Sequence, residues 1–67
     1  MPLVQITLLA GRTPEQLAAL GREVTEAVQR SLGAPAESVR VVVRESEPDL
    51  WFVGGESVAE LRAAGKR

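Results

Sequence analysis

Apolar positions run almost unbroken from Pro2 to Leu9 (PLVQITLL), interrupted only by Gln5 and Thr7. The β-branched residues Val4, Ile6 and Thr7 favour an extended backbone, and the scarcity of polar positions predicts a strand covered on both faces, as in a central parallel sheet. AGR breaks the run, and TPEQ reads as a helix start: Thr13 as N-cap, Pro14 at the first helical position and Gln16 completing a capping box. Beyond it Leu17, Leu20, Val24, Ala27, Val28 and Ser31 or Leu32 recur at three- and four-residue spacing, while Arg22, Glu23, Glu26, Gln29 and Arg30 fill the other side. This stripe predicts an amphipathic helix from about Pro14 to Leu32. Gly33 suits the left-handed position that ends a helix, with Pro35 beyond it.

A second strand is predicted over Val39 to Arg44 (VRVVVR), again apolar except at its two arginines. Alternation puts Arg40, Val42 and Arg44 on one face and Val41 and Val43 on the other. Strand, long helix and strand make one βαβ unit, whose right-handed crossover leaves the strands parallel. The fold class is therefore α/β, in a single domain spanning 1–67. ESEPDL follows as a polar turn, WFV as a short apolar patch, and Gly54-Gly55 permits a tight reversal. The tail ESVAELRAAGKR has modest helical periodicity, with packing against a neighbouring subunit as its other reading. Two strands do not make a stable sheet, so another chain has to meet the edges.

Size leads to the same expectation. A chain of 67 residues gains little from a private core and usually recruits disulfides, a metal or copies of itself. Cys and His are both absent, which excludes disulfides and the common nitrogen and sulfur metal sites, keeps a hard-cation carboxylate site as the one open metal option and leaves oligomerisation as the leading explanation. The same absences remove Ser-His-Asp, Cys-His and zinc-hydrolase chemistry. A formal charge of −1 with interspersed signs offers no basic stripe for nucleic acid. No charged leader precedes a long apolar segment, and no stretch approaches the roughly 20 apolar residues of a membrane span, so a soluble cytoplasmic protein is expected.

Four positions are candidates for chemistry. Methionine is normally trimmed ahead of a small residue, so Pro2 predicts a mature chain that starts with a secondary amine. A terminal α-amine has a reference pKa near about 8, and burial beside positive charge lowers it toward working pH, where it can serve as a general base. The competing explanation is a proline tolerated at a first strand position. Arg12 lies at the carboxyl end of the first strand, where ligands of parallel βαβ units gather. Arg40 lies at the opposite end of its own strand and reaches that mouth only from another subunit. Either arginine has a surface or interface ion pair as its alternative, and Arg44 fits that description better than a site residue. Trp51 and Phe52 are the only aromatics, suited to core, to an interface or to an apolar wall for a flat unsaturated substrate.

Taken together, the Met-Pro start with its apolar strand, GRTPEQ with Arg12, the helix ending at RSLGAP, SVRV with Arg40 and WFVGGE with its double glycine resemble the 4-oxalocrotonate tautomerases over essentially the whole chain. The resemblance implies a βαβ subunit with a short C-terminal hairpin, completed by oligomerisation into dimers with four-stranded sheets and a hexamer of three dimers. It implies an enol-keto tautomerase that needs no cofactor and acts on a small 2-hydroxydienoate such as 2-hydroxymuconate. Pro2, facing Arg12 of the same stretch, is then the base that moves a proton from the enol oxygen to a carbon of the conjugated chain. Arg12 holds the far carboxylate, Arg40 of a neighbouring subunit binds the 2-oxo and carboxylate end, and Trp51 closes the pocket. Arg62 falls near a C-terminal family arginine. Val53 replaces the water-activating glutamate of the related haloacrylate dehalogenases, and Leu9 replaces a further arginine, which disfavours hydrolytic dehalogenation. Phe52 stands where the family often has Gly, narrowing the pocket or shifting the hairpin. The alternative is a non-catalytic partner subunit that keeps the fold, for which Pro2, Arg12 and Arg40 together have no use.

Overall fold

A computed structural model describes residues 1–65. β1 (Leu3–Leu9) leads into α1 (Pro14–Leu32), and a 3-10 turn at Ala36–Ser38 delivers the chain to β2 (Arg40–Ser46). β1 and β2 pair in parallel, Leu3 with Arg40 through Leu9 with Ser46. A second 3-10 turn at Pro48–Leu50 precedes β3 (Phe52–Val53) and β4 (Glu56–Ser57), which form an antiparallel hairpin, and α2 (Val58–Ala63) closes the described chain.

The local chemistry of α1 matches its sequence. Thr13 Oγ1 accepts the Gln16 N–H at 3.1 Å while Gln16 Oε1 accepts the Thr13 N–H at 2.9 Å, so both halves of the capping box are made. At the other end Gly33 takes a left-handed φ of 68° and donates its N–H to Gln29 at 2.9 Å. A Cβ at that φ costs energy, which is why glycine ends the helix there. β2 runs two residues beyond the predicted Arg44 because Glu45 and Ser46 still find partners in Leu8 and Leu9. Gly54 and Gly55 have φ of 60° and 88°, the doubly positive pair that a two-residue hairpin turn requires. The tail, read from sequence as weakly periodic, forms α2; its last two residues lie outside the described residues.

Burial follows the strand alternation and leaves one face open. Val4, Ile6 and Leu8 of β1 and Val41 and Val43 of β2 are half-buried beneath α1, whereas Leu3, Gln5 and Thr7 with Arg40, Val42 and Arg44 are exposed. The expected cover on both faces is therefore absent from the single chain. Among the described residues the buried apolar side chains are Val39, Val58 and Leu61, and two of these belong to α2. α2 packs chiefly on the Pro48–Leu50 turn and β4, so the C-terminal segment forms an arm with a small core of its own. The radius of gyration of 15.4 Å exceeds the roughly 11 Å expected of a compact chain this long. Among the described residues no helix is long and apolar enough to cross a membrane.

Candidate active site

Pro2 stands one residue ahead of β1, half-buried, and its carbonyl accepts the Arg40 backbone N–H at 2.9 Å. This bond adds a rung to the parallel ladder and fixes Pro2 beside Arg40 at the amino ends of both strands. The ladder asks nothing of the Pro2 nitrogen, which has no hydrogen to donate. While Met1 is attached that nitrogen is an amide; Met1 itself is 86% exposed. The Arg40 side chain lies on the open face of the sheet, and its Nη1 donates to the Glu37 carbonyl at 2.6 Å, which draws the guanidinium toward the Ala36–Ser38 turn.

Arg12 sits in the exposed break between β1 and α1, where its Nη1 donates to the Leu9 carbonyl at 3.2 Å. With Leu8, Gln16, Leu17, Leu20 and Glu23 it lines an open groove of about 430 Å³ beside the first turns of α1. The capping box that starts α1 also fixes where the chain leaves Arg12. Within one chain, however, Pro2 does not face Arg12. β1 lies between them, and at about 3.3 Å per residue it separates its two ends by roughly 20 Å. Adjacency in sequence is misleading here because the intervening residues are fully extended.

Trp51 precedes β3 and is half-buried, while Phe52 is 59% exposed. Successive residues of an extended segment point to opposite sides, so the two rings do not form one wall within a chain. The Trp51 carbonyl accepts the Val58 N–H at 2.8 Å, which ties the aromatic to the first residue of α2. Ser57 Oγ accepts the Glu60 N–H at 3.1 Å and Glu60 Oε1 accepts the Ser57 N–H at 3.1 Å, a second complete capping box. The hydrogen bond from the Ser57 backbone, followed by that with its side chain, holds the Glu60 carboxyl below the usual glutamate range. Ser57-Val-Ala-Glu60 ahead of Leu61 carries the signature of this box, which the weak periodicity of the tail leaves unmarked. Arg62 lies in the last turn of α2, exposed. Among the described residues no cluster of three or more acidic side chains is placed to hold a metal ion.

Residues 2–61 match the family described as "Tautomerase enzyme". The chain is 47% identical over 62 residues to a 2-hydroxymuconate tautomerase of Pseudomonas putida, covering 92% of this chain and 98% of that one. It superposes on TomN, a 4-oxalocrotonate tautomerase homologue of the tomaymycin biosynthetic pathway, with a TM-score of 0.90 at 56% identity, over 92% of this chain and 95% of the other. A heterohexamer 4-oxalocrotonate tautomerase from Chloroflexus aurantiacus J-10-fl gives a TM-score of 0.85 at 44% identity, over 92% of this chain and all of that one. The βαβ unit with parallel strands and a terminal hairpin is the fold these proteins share. The chain belongs to the 4-oxalocrotonate tautomerase family of the tautomerase superfamily and is itself a tautomerase, an isomerase.

Proposed function

We propose that this tautomerase converts a small 2-hydroxydienoate, such as 2-hydroxymuconate, to its 2-oxo-enoate in the cytoplasm, with Pro2 as the base after Met1 is removed. The observation that carries the reading is the rung between the Pro2 carbonyl and the Arg40 N–H, which gives the terminal nitrogen a fixed position at the head of the strands. The amine takes the 2-hydroxyl proton and returns a proton at a carbon farther along the conjugated chain. The C–O bond gains double-bond character as the diene shifts, and no atom is gained or lost. Arg40 binds the 2-oxo and carboxylate end and draws charge toward it, Arg12 holds the far carboxylate, and Trp51 walls the pocket.

Because β1 keeps Pro2 and Arg12 of one chain apart, a site that uses Pro2, Arg12 and Arg40 together recruits residues from more than one copy. An oligomer, a hexamer of three dimers by likeness to the family, is thus part of the catalytic proposal. A second reading, a subunit of a mixed assembly, draws on the likeness to the heterohexamer protein. Both readings predict an oligomer, and only the first requires turnover by this chain alone.

The test pairs intact mass of the natively expressed chain with tautomerase rates on 2-hydroxymuconate. Loss of Met1 is expected, with kcat/KM falling roughly 100-fold or more in Pro2→Ala, where a primary amine replaces the secondary one, and in Arg40→Ala. Retained Met1, or undiminished turnover in both variants, would falsify the mechanism.

A further inference from the structure

The arm that carries Trp51 holds the most enclosed of the described residues: Val58 is 1% exposed, Ser57 4% and Leu61 8%. A six-residue helix has no stability of its own in water, so something other than length holds α2 in place. Two devices do so. The Ser57–Glu60 capping box supplies partners at the amino end, and Val58 and Leu61 fill the space behind it. The first backbone amide released by that helix start, Val58 N–H, is then spent on the Trp51 carbonyl at 2.8 Å. The hairpin adds a second tether, since Phe52 pairs with Ser57 itself. Ser57 is therefore at once the partner of Phe52 in the hairpin, the cap of α2 and the neighbour of the amide that binds Trp51.

We infer that Ser57 and Glu60 are positioning residues for Trp51: the capping box fixes the start of α2, and through the Val58 N–H to Trp51 carbonyl bond it holds the aromatic wall of the site in place. The inference rests on the assignment of Trp51 to the site. It does not require Ser57 or Glu60 to touch substrate. Their effect is on where one indole ring stands, so it should be visible in the ring itself as well as in turnover.

Trp51 is the only tryptophan of the chain, so its fluorescence reports this position alone. The experiment records emission maximum, acrylamide quenching and tautomerase kinetics for full-length wild type, Ser57→Ala, Glu60→Ala, Glu60→Gln and Trp51→Ala, with circular dichroism and sedimentation confirming that each variant is folded and assembled. Ser57→Ala and Glu60→Ala are expected to shift Trp51 emission to the red and increase its quenching. Loss of a cap of this kind corresponds to roughly fivefold, expected here as a lower kcat/KM carried mainly by KM. Glu60→Gln keeps an acceptor for the Ser57 N–H and is expected to restore both emission and KM. Wild-type emission in Ser57→Ala and Glu60→Ala would overturn the inference, and so would a Glu60→Gln variant as impaired as Glu60→Ala. Unchanged kinetics in Trp51→Ala would instead remove Trp51 from the site, and with it any catalytic use of the cap, while leaving the roles of Pro2 and Arg40 to their own test.

Discussion

At Pro2 a single residue meets two demands that most side chains could not combine. Its carbonyl belongs to the sheet, bonded to Arg40, while its nitrogen has no hydrogen for the ladder to claim. In the trimmed chain the nitrogen is an amine in a half-buried position, where desolvation disfavours its protonated form. In its proposed role the amine acts when unprotonated, so activity is expected to fall as pH drops through the amine's pKa. The acidic limb of kcat/KM is expected below about 8, the value of an exposed α-amine. A limb at or above that value in the pH profile would show that the protein does nothing to the amine. At this scale the sequence marks Pro2, Arg12, Arg40 and Trp51 as the proposed site residues, by residue type and by place along the chain. Ser57 and Glu60 did not, because their signature lies ahead of a helix too short to show a clear period.

The elements were legible in proportion to their length and capping. α1 announced both ends, through Thr13 with Gln16 and through Gly33, and both are made as read. Thr13→Ala is expected to cost about 1 kcal/mol, read as a lower denaturant midpoint at unchanged slope. β2 was read two residues short, because Glu45 and Ser46 look like the opening of a polar turn until their pairing with β1 is known. α2 was the least legible, since Val58 and Leu61 alone give a weak stripe. Its cap carries a pH dependence whose sign is fixed. Glu60 titrates below its ordinary range in the folded arm, so the stability it lends is present above the unfolded carboxylate pKa and is lost as pH falls through the folded one. Trp51 emission is expected to move red in that acidic window in wild type and to lose the transition in Glu60→Gln. A transition unaltered in Glu60→Gln would assign it to another carboxylate.

For the whole molecule, one chain leaves more surface open than its mass requires. Its accessible surface of 4824 Å² exceeds the about 4,100 Å² expected of a folded monomer of this mass. Leu3 and Val42 on the open face, and Leu50, Phe52 and Val53 on the arm, remain exposed. The apolar pattern that predicts cover on both faces of the sheet is met on one face within the chain, and the proposed oligomer would supply the other. Val42→Asp places a charge in the middle of that face and is expected to shift the sedimenting species toward smaller assemblies and to lower activity per chain. An unchanged sedimentation profile would exclude the open face as an interface. The register of the sheet has a kinetic consequence as well. Every β1–β2 pair joins residues 37 apart, Leu3 with Arg40 through Leu9 with Ser46, so no local contact can start the sheet. Closing a loop of that length costs about 3 kcal/mol in chain entropy, and a helix formed beforehand stiffens and shortens the path. Folding should therefore wait on α1: Thr13→Ala is expected to slow refolding, whereas Val41→Ala in β2 chiefly speeds unfolding. The tempo at which the sheet closes is then set by a threonine that lies in neither strand.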